Sequence, residues 1–301
     1  MNIKKRWLLG ILIVLLPSIS MANFLDLEIG ARQTGMGGAF VGIGDDASTV
    51  YWNPAGLDEL KSVEIIYGYG RRHNKGSINC FSLAQPATFL AGGTWGLFGL
   101  QEDVVEIKDD TIRRKGTDET TIGLGWGKKM NGGFENMPFG LLIGATMKLL
   151  KAEEKDATNR GAAIDLGLLL KPKEILPGTK EIKIGVVLRN ALRTKMSEKK
   201  PASGFNLGFG ILMDKKITLG KGINLNNIIL SADADHPEGE SLRIRLGTEM
   251  LVNQKLFWRM GTNNGDLSLG TGIKSGQWQI DYGISLNSPK PSQQISAMLT
   301  Y

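Results

Sequence analysis

From Val63 onward the chain alternates apolar and polar positions with a period of two. Ile182, Ile184, Val186 and Leu188 alternate with Lys183, Gly185, Val187 and Arg189. Leu242, Ile244, Leu246, Thr248 and Met250 alternate with Arg243, Arg245, Gly247 and Glu249. Trp278, Ile280, Tyr282, Ile284 and Leu286 alternate with Gln279, Asp281, Gly283, Ser285 and Asn287. This period puts apolar side chains on one face of a strand and Gly, polar or charged ones on the other. About fourteen strands follow from the pattern. They lie near 63–70, 76–84, 88–100, 120–129, 139–150, 160–171, 181–190, 203–214, 226–236, 242–251, 255–262, 266–274, 278–287 and 292–301. The connections carry turn chemistry: Asn131-Gly132-Gly133, Pro177-Gly178, Asn264-Gly265, Ser275-Gly276 and Pro289-Lys290-Pro291. No amphipathic helix of normal length interrupts the series, so neighbours pair antiparallel as a meander.

Alternation alone does not say which face meets water. A soluble sandwich buries its apolar face, whereas a membrane barrel turns it to lipid. Strands near ten residues long suit a tilted membrane crossing. Their number is even and high for a sandwich. The polar face carries full charges at Asp165, Lys183, Arg189, Asp233, Asp235, Arg243, Arg245, Glu249, Arg259 and Asp281. Ile295, Ala297, Leu299 and Tyr301 share one face of the final strand. The aromatic at Tyr301 resembles the C-terminal assembly signal of outer-membrane barrels. The fold expected is all-β, a closed antiparallel transmembrane β-barrel of about fourteen strands with an N-terminal plug, or hatch, segment. A periplasmic all-β ligand-binding protein is the alternative. One hairpin sets a register test. Its centre at Gly239 places Asp235 opposite Arg243 and Asp233 opposite Arg245 on the polar face. Such cross-strand pairs add roughly 0.2–1 kcal/mol each. Solvated charges in a wet lumen are the other reading of these four residues.

The beginning of the chain differs. Lys4, Lys5 and Arg6 precede an apolar run from Trp7 to Leu16, and Ser20 and Ala22 fit the small positions of a cleavage site after residue 22. This is the pattern of a secretory signal. A signal-anchor helix needs about 20 apolar residues, and Pro17 ends this run early. The organisation expected is a signal over 1–22, a plug over 23–62 and a barrel over 63–301. The net charge is +6, half of it on Lys4, Lys5 and Arg6, so no nucleic-acid partner is expected. The single cysteine, Cys80, excludes an intrachain disulfide.

Residues 30–57 read GARQTGMGGAFVGIGDDASTVYWNPAGL. Gly35, Gly37 and Gly38 permit tight packing. Asp45 and Asp46 suit the start of a short helix, and Asn53-Pro54 is a turn-initiating pair. The block resembles the N-terminal signature of FadL-like outer-membrane transport proteins, and most of all their PorV/PorQ-type branch. The resemblance implies a fourteen-stranded barrel plugged by this segment, with Asn53, Pro54, Ala55 and Gly56 belonging to the plug. It implies passive transport of a hydrophobic or small solute or, in the PorV-like case, docking of secretion-system proteins. Outer-membrane lipid, the barrel assembly machinery and a hydrophobic ligand are the other partners expected, at the cell outer membrane. The segments near 101–119, 151–160 and 190–202 are expected as charged loops, including Lys108-Asp109-Asp110, Glu153-Glu154-Lys155 and Glu198-Lys199-Lys200.

Chemistry is sparse. The two histidines, His73 and His236, are expected in turns, and no G-x-S-x-G elbow is present. The glycines near Gly37 do not form G-x-G-x-x-G, because Phe40 stands in the last position. Asp233, Asp235, His236, Glu238 and Glu240 form an acidic cluster whose carboxylates offer oxygen ligands of the kind Ca²⁺ takes, but a solvated loop with lumen-side ion pairs explains them better. No catalytic residue, metal or cofactor is expected. Trp52, Trp95, Trp126, Trp258 and Trp278 suit interfacial girdles.

Overall fold

A computed structural model describes residues 29–72, 76–87, 92–108, 111–131, 137–154, 157–173, 177–196, 200–214, 216–219, 223–286 and 291–301. Two short α-helices come first, α1 (Ala31–Gly35) and α2 (Thr49–Trp52), then a 3₁₀ turn over Pro54–Glu59. The strands follow: β1 (Glu64–Arg72), β2 (Gly76–Ala87), β3 (Gly93–Lys108), β4 (Thr111–Lys129), β5 (Phe139–Glu154), β6 (Ala157–Pro172), β7 (Glu181–Arg193) and β8 (Gly204–Met213). After these come β9 (Ile217–Leu219), β10 (Ile223–Pro237), β11 (Arg243–Val252), β12 (Leu256–Asn263), β13 (Asp266–Ser275), β14 (Trp278–Ser285) and β15 (Ser292–Thr300). The three-residue β9 pairs with the start of β10. The other fourteen pair antiparallel in sequence order. β15 meets β1, and β10 meets both β8 and β11, so the sheet closes into a barrel with no free edge.

Period two decides the two faces. Along β14, Gln279, Asp281, Gly283 and Ser285 are buried while Trp278, Ile280 and Tyr282 are exposed. Large exposed apolar side chains stand on every one of the fourteen staves, from Tyr67 on β1 through Ile122, Met147, Leu188, Phe209 and Leu246 to Ile295 on β15. An apolar belt of this extent suits lipid and is costly in water. The inner face carries the charges. Asp165, Lys183, Arg189, Asp233, Asp235, Arg245, Glu249, Arg259 and Asp281 are all buried. The wet lumen is therefore not what these charges meet: they are enclosed and paired.

Strand lengths are unequal. β4 has 19 residues and β12 has 8. At about 3.3 Å per residue, these are about 63 and 26 Å long. The segments expected as loops near 101–119 and 151–160 are in large part the outer halves of β3–β4 and β5–β6. Beyond the lipid belt a strand has no reason to keep an apolar face, so the period-two signal fades although the ladder continues. Asp109, Asp110, Lys155, Glu198 and Lys199 lie outside the described residues, as do His73 and the whole of 1–28. His236 is in strand, opposite Phe205, because the β10–β11 ladder persists to Asp235 and β10 still pairs β8 at Pro237.

Candidate functional site

The described N-terminal residues, from Ile29 to Leu60, lie inside the barrel and supply most of its core. Ala31, Met36, Ala39, Phe40, Val41, Val50, Ala55 and Leu57 have no accessible surface. Their path is a series of tight turns. Gly37 and Gly38 take left-handed φ values of 65° and 75°, which lets the chain reverse after α1. The expected helix start at Asp45-Asp46 takes a particular form. Asp46 Oδ1 accepts the Ser48 N–H and hydroxyl, and α2 begins one residue later, at Thr49. Asn53 then caps the 3₁₀ turn, its Oδ1 accepting the Ala55 N–H, with Pro54 in the first position. Asn53 Nδ2 donates to Val41 O at 2.9 Å and Leu168 O at 3.3 Å, joining two turns of the segment to β6. Phe40, Tyr51 and Trp52 meet edge to face, and Tyr51 also meets Phe98 of β3 at 5.5 Å. Trp52 is thus a core residue and not part of a girdle. Trp95, Trp126, Trp258 and Trp278 all sit near strand ends on the side of the barrel where β15 finishes, and Trp95 pairs across the ladder with Trp126.

The wall receives this segment through glycines. A Cβ on Gly144 would stand 2.3 Å from Pro54 C, on Gly127 2.4 Å from Pro54 O, and on Gly167 2.4 Å from Asn53 Oδ1. The same holds at Gly185 against Val41, Gly208 against Gly42, Gly261 against Met36 and Gly283 against Ala31. From the other side, Gly35 lies against Gly270 and Gly37 against the Thr262 backbone, while within the segment Gly56 lies against Gly44. Gly38 leaves room for the Arg245 side chain. Main chain therefore touches main chain around most of the ring. The sequence showed that Gly alternates with apolar residues, but not which distant residue each inward Gly faces, from Pro54 at Gly127 to Ala31 at Gly283.

Charge completes the fit. Arg32 reaches Asp45 (2.7 Å), Asp46 (2.9 Å) and Glu249 of β11 (2.9 Å). Burial works against its charge, but Asp45, Glu249 and Asp46 outweigh it and hold the guanidinium well above its usual range. Asp46 is shifted up, because burial and Asp45 outweigh Arg32. Glu249 passes the network to Arg259 and on to Asp281. On the opposite wall, Lys148, Asp165 and Arg189 form a buried triad, and Arg189 donates to Tyr51 O and Trp52 O at the end of α2. The Gly239 hairpin has Cα partners Asp233↔Arg245 and Asp235↔Arg243. Arg245 also pairs diagonally with Asp235 at 2.8 Å, while Arg243 meets Glu240 and stands 3.9 Å from Asp235. Asp233 accepts the Phe40 and Val41 N–H groups at 2.7 and 2.8 Å. Glu238 goes to Arg193 and Ser203, so the acidic residues of this hairpin diverge and no metal cluster forms among the described residues.

At the end of the barrel where β15 finishes, Asp58 accepts the Lys129 N–H, and Glu59 pairs with Lys171 at 2.7 Å and Lys183 at 3.0 Å. Tyr301 is exposed, and it exchanges two backbone hydrogen bonds with Val63, where β15 meets β1. A small crevice of about 20 Å³, the room of a single water, lies beside this end, between Gly42–Asp45 and the wall at Lys183, Leu212 and Ile229. At the other end, residues after β7 fold inward, and Met196 covers Leu150, Ala152 and Ala163.

No protein-family profile matches the chain, and no curated protein does. Solved structures do. The toluene transporter TbuX of Ralstonia pickettii aligns with a TM-score of 0.54 at 10% identity, over 92% of this chain and 98% of that one. The toluene transporter TodX of Pseudomonas putida aligns at 0.53 and 10%, over 93% and 99%. A FadL homologue of Pseudomonas aeruginosa aligns at 0.52 and 11%, over 93% and 99%. At these identities the likeness is one of fold: this chain has the barrel architecture of those proteins over nearly their full length.

Proposed function

We propose that this protein is a non-enzymatic outer-membrane barrel for passive transport of a hydrophobic or small solute, plugged by its own N-terminal segment. The observation that carries the reading is a closed barrel, apolar outside on every stave, whose lumen is occupied by residues 29–60 of the same chain. The shared fold with toluene transporters and a FadL homologue supports it. Asn53, Pro54, Ala55 and Gly56 hold the shape of the plug. Gly35, Gly37 and Gly38 let it close on the wall. Asp45 and Asp46 fasten it through Arg32. Asp233, Asp235, Arg243 and Arg245 are the lumen charges that complete it, and Tyr301 serves the barrel assembly machinery. The test is toluene uptake into proteoliposomes, after heat-modifiable migration on gels has shown a folded barrel. Uptake no faster than in protein-free vesicles refutes transport, and recovery in the soluble periplasm refutes the barrel.

A second reading, a PorV-like component that docks secretion partners, is favoured by the long β3–β6 strands, which outrun the apolar belt. Shortening the β3–β4 hairpin by residues 103–118 separates the two readings. Loss of secretion with uptake intact supports docking, and loss of neither function rejects it.

A further inference from the structure

The outer face of β11–β13 is not filled evenly. Thr262 stands opposite Leu246 on one side and Leu267 on the other, and Thr248 stands opposite Met260. The two small side chains leave a pit of about 270 Å³ among the three large ones, lined almost wholly by apolar carbon. Its floor is the main chain at Gly247 and Gly261, which are Cα partners. That floor is closed from within. A Cβ on Gly247 would stand 2.6 Å from Met36 O, and one on Gly261 2.2 Å from Met36 C. The pit therefore opens to the outside of the barrel and not to the lumen.

Its depth in the membrane follows from the strands. The pit lies just below the β12–β13 hairpin, where Asn264 and Gly265 turn the chain with φ values of 51° and 98°. Ile244 of β11 and Leu242 before it, both exposed, carry the apolar surface past this tip. The hairpin is at the same end as the long β3–β4 and β5–β6 hairpins, opposite the end where β15 finishes. Long hairpins mark the extracellular end of an outer-membrane barrel, so the pit faces the outer leaflet. The medium there is acyl chain. Lipid tails are as apolar as leucine, so shape and dispersion contact, not escape from water, hold a chain in such a pit. A cavity of roughly 150 Å³ accommodates benzene, so this one takes on the order of ten chain carbons. The Thr248 and Thr262 hydroxyls can donate to the ester or amide carbonyl at the head of such a chain, and Asn264 and Asp266 stand exposed at the rim above it.

We propose that this pit is a binding site for one acyl chain of an outer-leaflet lipid, lipid A, with the chain seated over Thr262 between Leu246 and Leu267. The bound chain backs the bare Gly247–Gly261 rung from outside, where Met36 packs against it from inside. The inference goes beyond the transport reading and takes from it only that the barrel lies in an outer membrane.

The experiment places the full chain and its variants, each first shown to be a folded, heat-modifiable barrel, in nanodiscs containing lipid A and phosphatidylglycerol. The barrels are then moved into mild detergent, and native mass spectrometry counts the lipids that stay bound. The parent protein is expected to retain one lipid A. Thr262→Trp fills the pit and is expected to lower that retention about tenfold. Ile122→Trp, on the outer face of β4, is expected to retain lipid A as the parent does. If Thr262→Trp does not fold, Leu267→Ala, which removes one wall of the pit, decides, with a similar loss expected. Parent-like retention in either folded variant overturns the site. Phosphatidylglycerol retained in place of lipid A overturns the outer-leaflet source, and a protein dimer without a lipid adduct overturns the occupant. Toluene uptake is measured separately, so that absence of flux in the parent protein counts against transport and leaves the lipid site standing.

Discussion

Gly144→Ala tests whether the segment and the wall are in contact as described. Gly144 lies mid-strand on β5, opposite Gly167 and Gly127. An added Cβ would stand 2.3 Å from Pro54 C, 2.4 Å from Ala55 N and 2.5 Å from Pro54 O. Carbon atoms settle at about 3.5–4.0 Å, so the shortfall exceeds an ångström. All three opposing atoms are main chain, so no rotamer change relieves it. The 3₁₀ turn must retreat, or β5 must bow outward. Retreat pulls Leu57 from its place against Gly96 and Gly125 and disturbs the Asn53 cap. Overpacking of this kind costs about 1–3 kcal/mol, and the upper end applies where backbone must move. The intrinsic effect of Gly→Ala in a strand runs the other way, by about 0.5–1 kcal/mol. Gly99→Ala on β3 isolates that effect, since nothing lies within 4 Å of its added Cβ. Urea unfolding in detergent micelles, followed by loss of the heat-modifiable band, is expected to rank Gly99→Ala at or above the parent protein and Gly144→Ala below it. Equal stability of the two variants refutes the close contact at β5.

Other expectations follow from single contacts. Asp233→Ala leaves the buried Phe40 and Val41 N–H groups without their acceptor, at about 1–3 kcal/mol each in the same unfolding assay, and Asp233→Asn recovers part of the loss; no difference between Ala and Asn would argue against the paired hydrogen bonds. Burial works to raise the Glu59 carboxyl, but Lys183 and Lys171 more than offset this and leave it below its ordinary 4.5. Its contribution to stability is therefore complete above pH 4.5 and is lost as pH falls through the lower folded value. Glu59→Gln is expected to flatten that acid limb of stability against pH, and parallel limbs would contradict it. Ile280, half exposed on the outer face of β14, meets lipid in this reading. Ile280→Lys is expected to cost about 2–4 kcal/mol in bilayers if it lies at mid-depth, and a change within about 0.5 kcal/mol, as for a water-facing site, would place that face in solvent.

Much of the barrel was legible because period two is a local signal. Strand centres, the Asn264-Gly265 and Ser275-Gly276 turns and the partner positions around Gly239 all depend on neighbours a few residues apart. The outer halves of β3–β6 were not legible, since strands outside the lipid belt carry charges without an apolar rhythm. The segment's internal design was partly legible: Asn53-Pro54 reads as a turn, and the glycines as close approach. What they approach was hidden by distance along the chain. Arg32 finds Glu249 across 217 residues, and the Gly30 N–H finds Gln294 across 264. Nothing near Arg32 in the sequence distinguishes it from a surface arginine.

The same contacts bear on what kind of plug this segment is. A removable stopper would leave behind a wall able to stand alone, with its buried charges satisfied among themselves. Part of this wall meets that condition, since Arg259 bridges Glu249 and Asp281. Asp233 does not meet it, and Arg189, although paired with Asp165 on the wall, gives its shorter hydrogen bonds to the segment. One carboxylate oxygen of Asp233 holds two segment N–H groups, and Arg189 holds two segment carbonyls while stacking 4.8 Å from Tyr51. Withdrawing the segment strands both sets of partners at once, each at the cost of a buried polar group left unmade. It also empties the space above the inward glycines of β3 to β8 and β11 to β14, where no side chain is available to refill it. These penalties add over the whole ring, and even the Ile43–Asp45 turn is held at several points, by Lys183 at Ile43 O and by Arg32 at Asp45. The segment and the barrel are therefore expected to unfold as one unit.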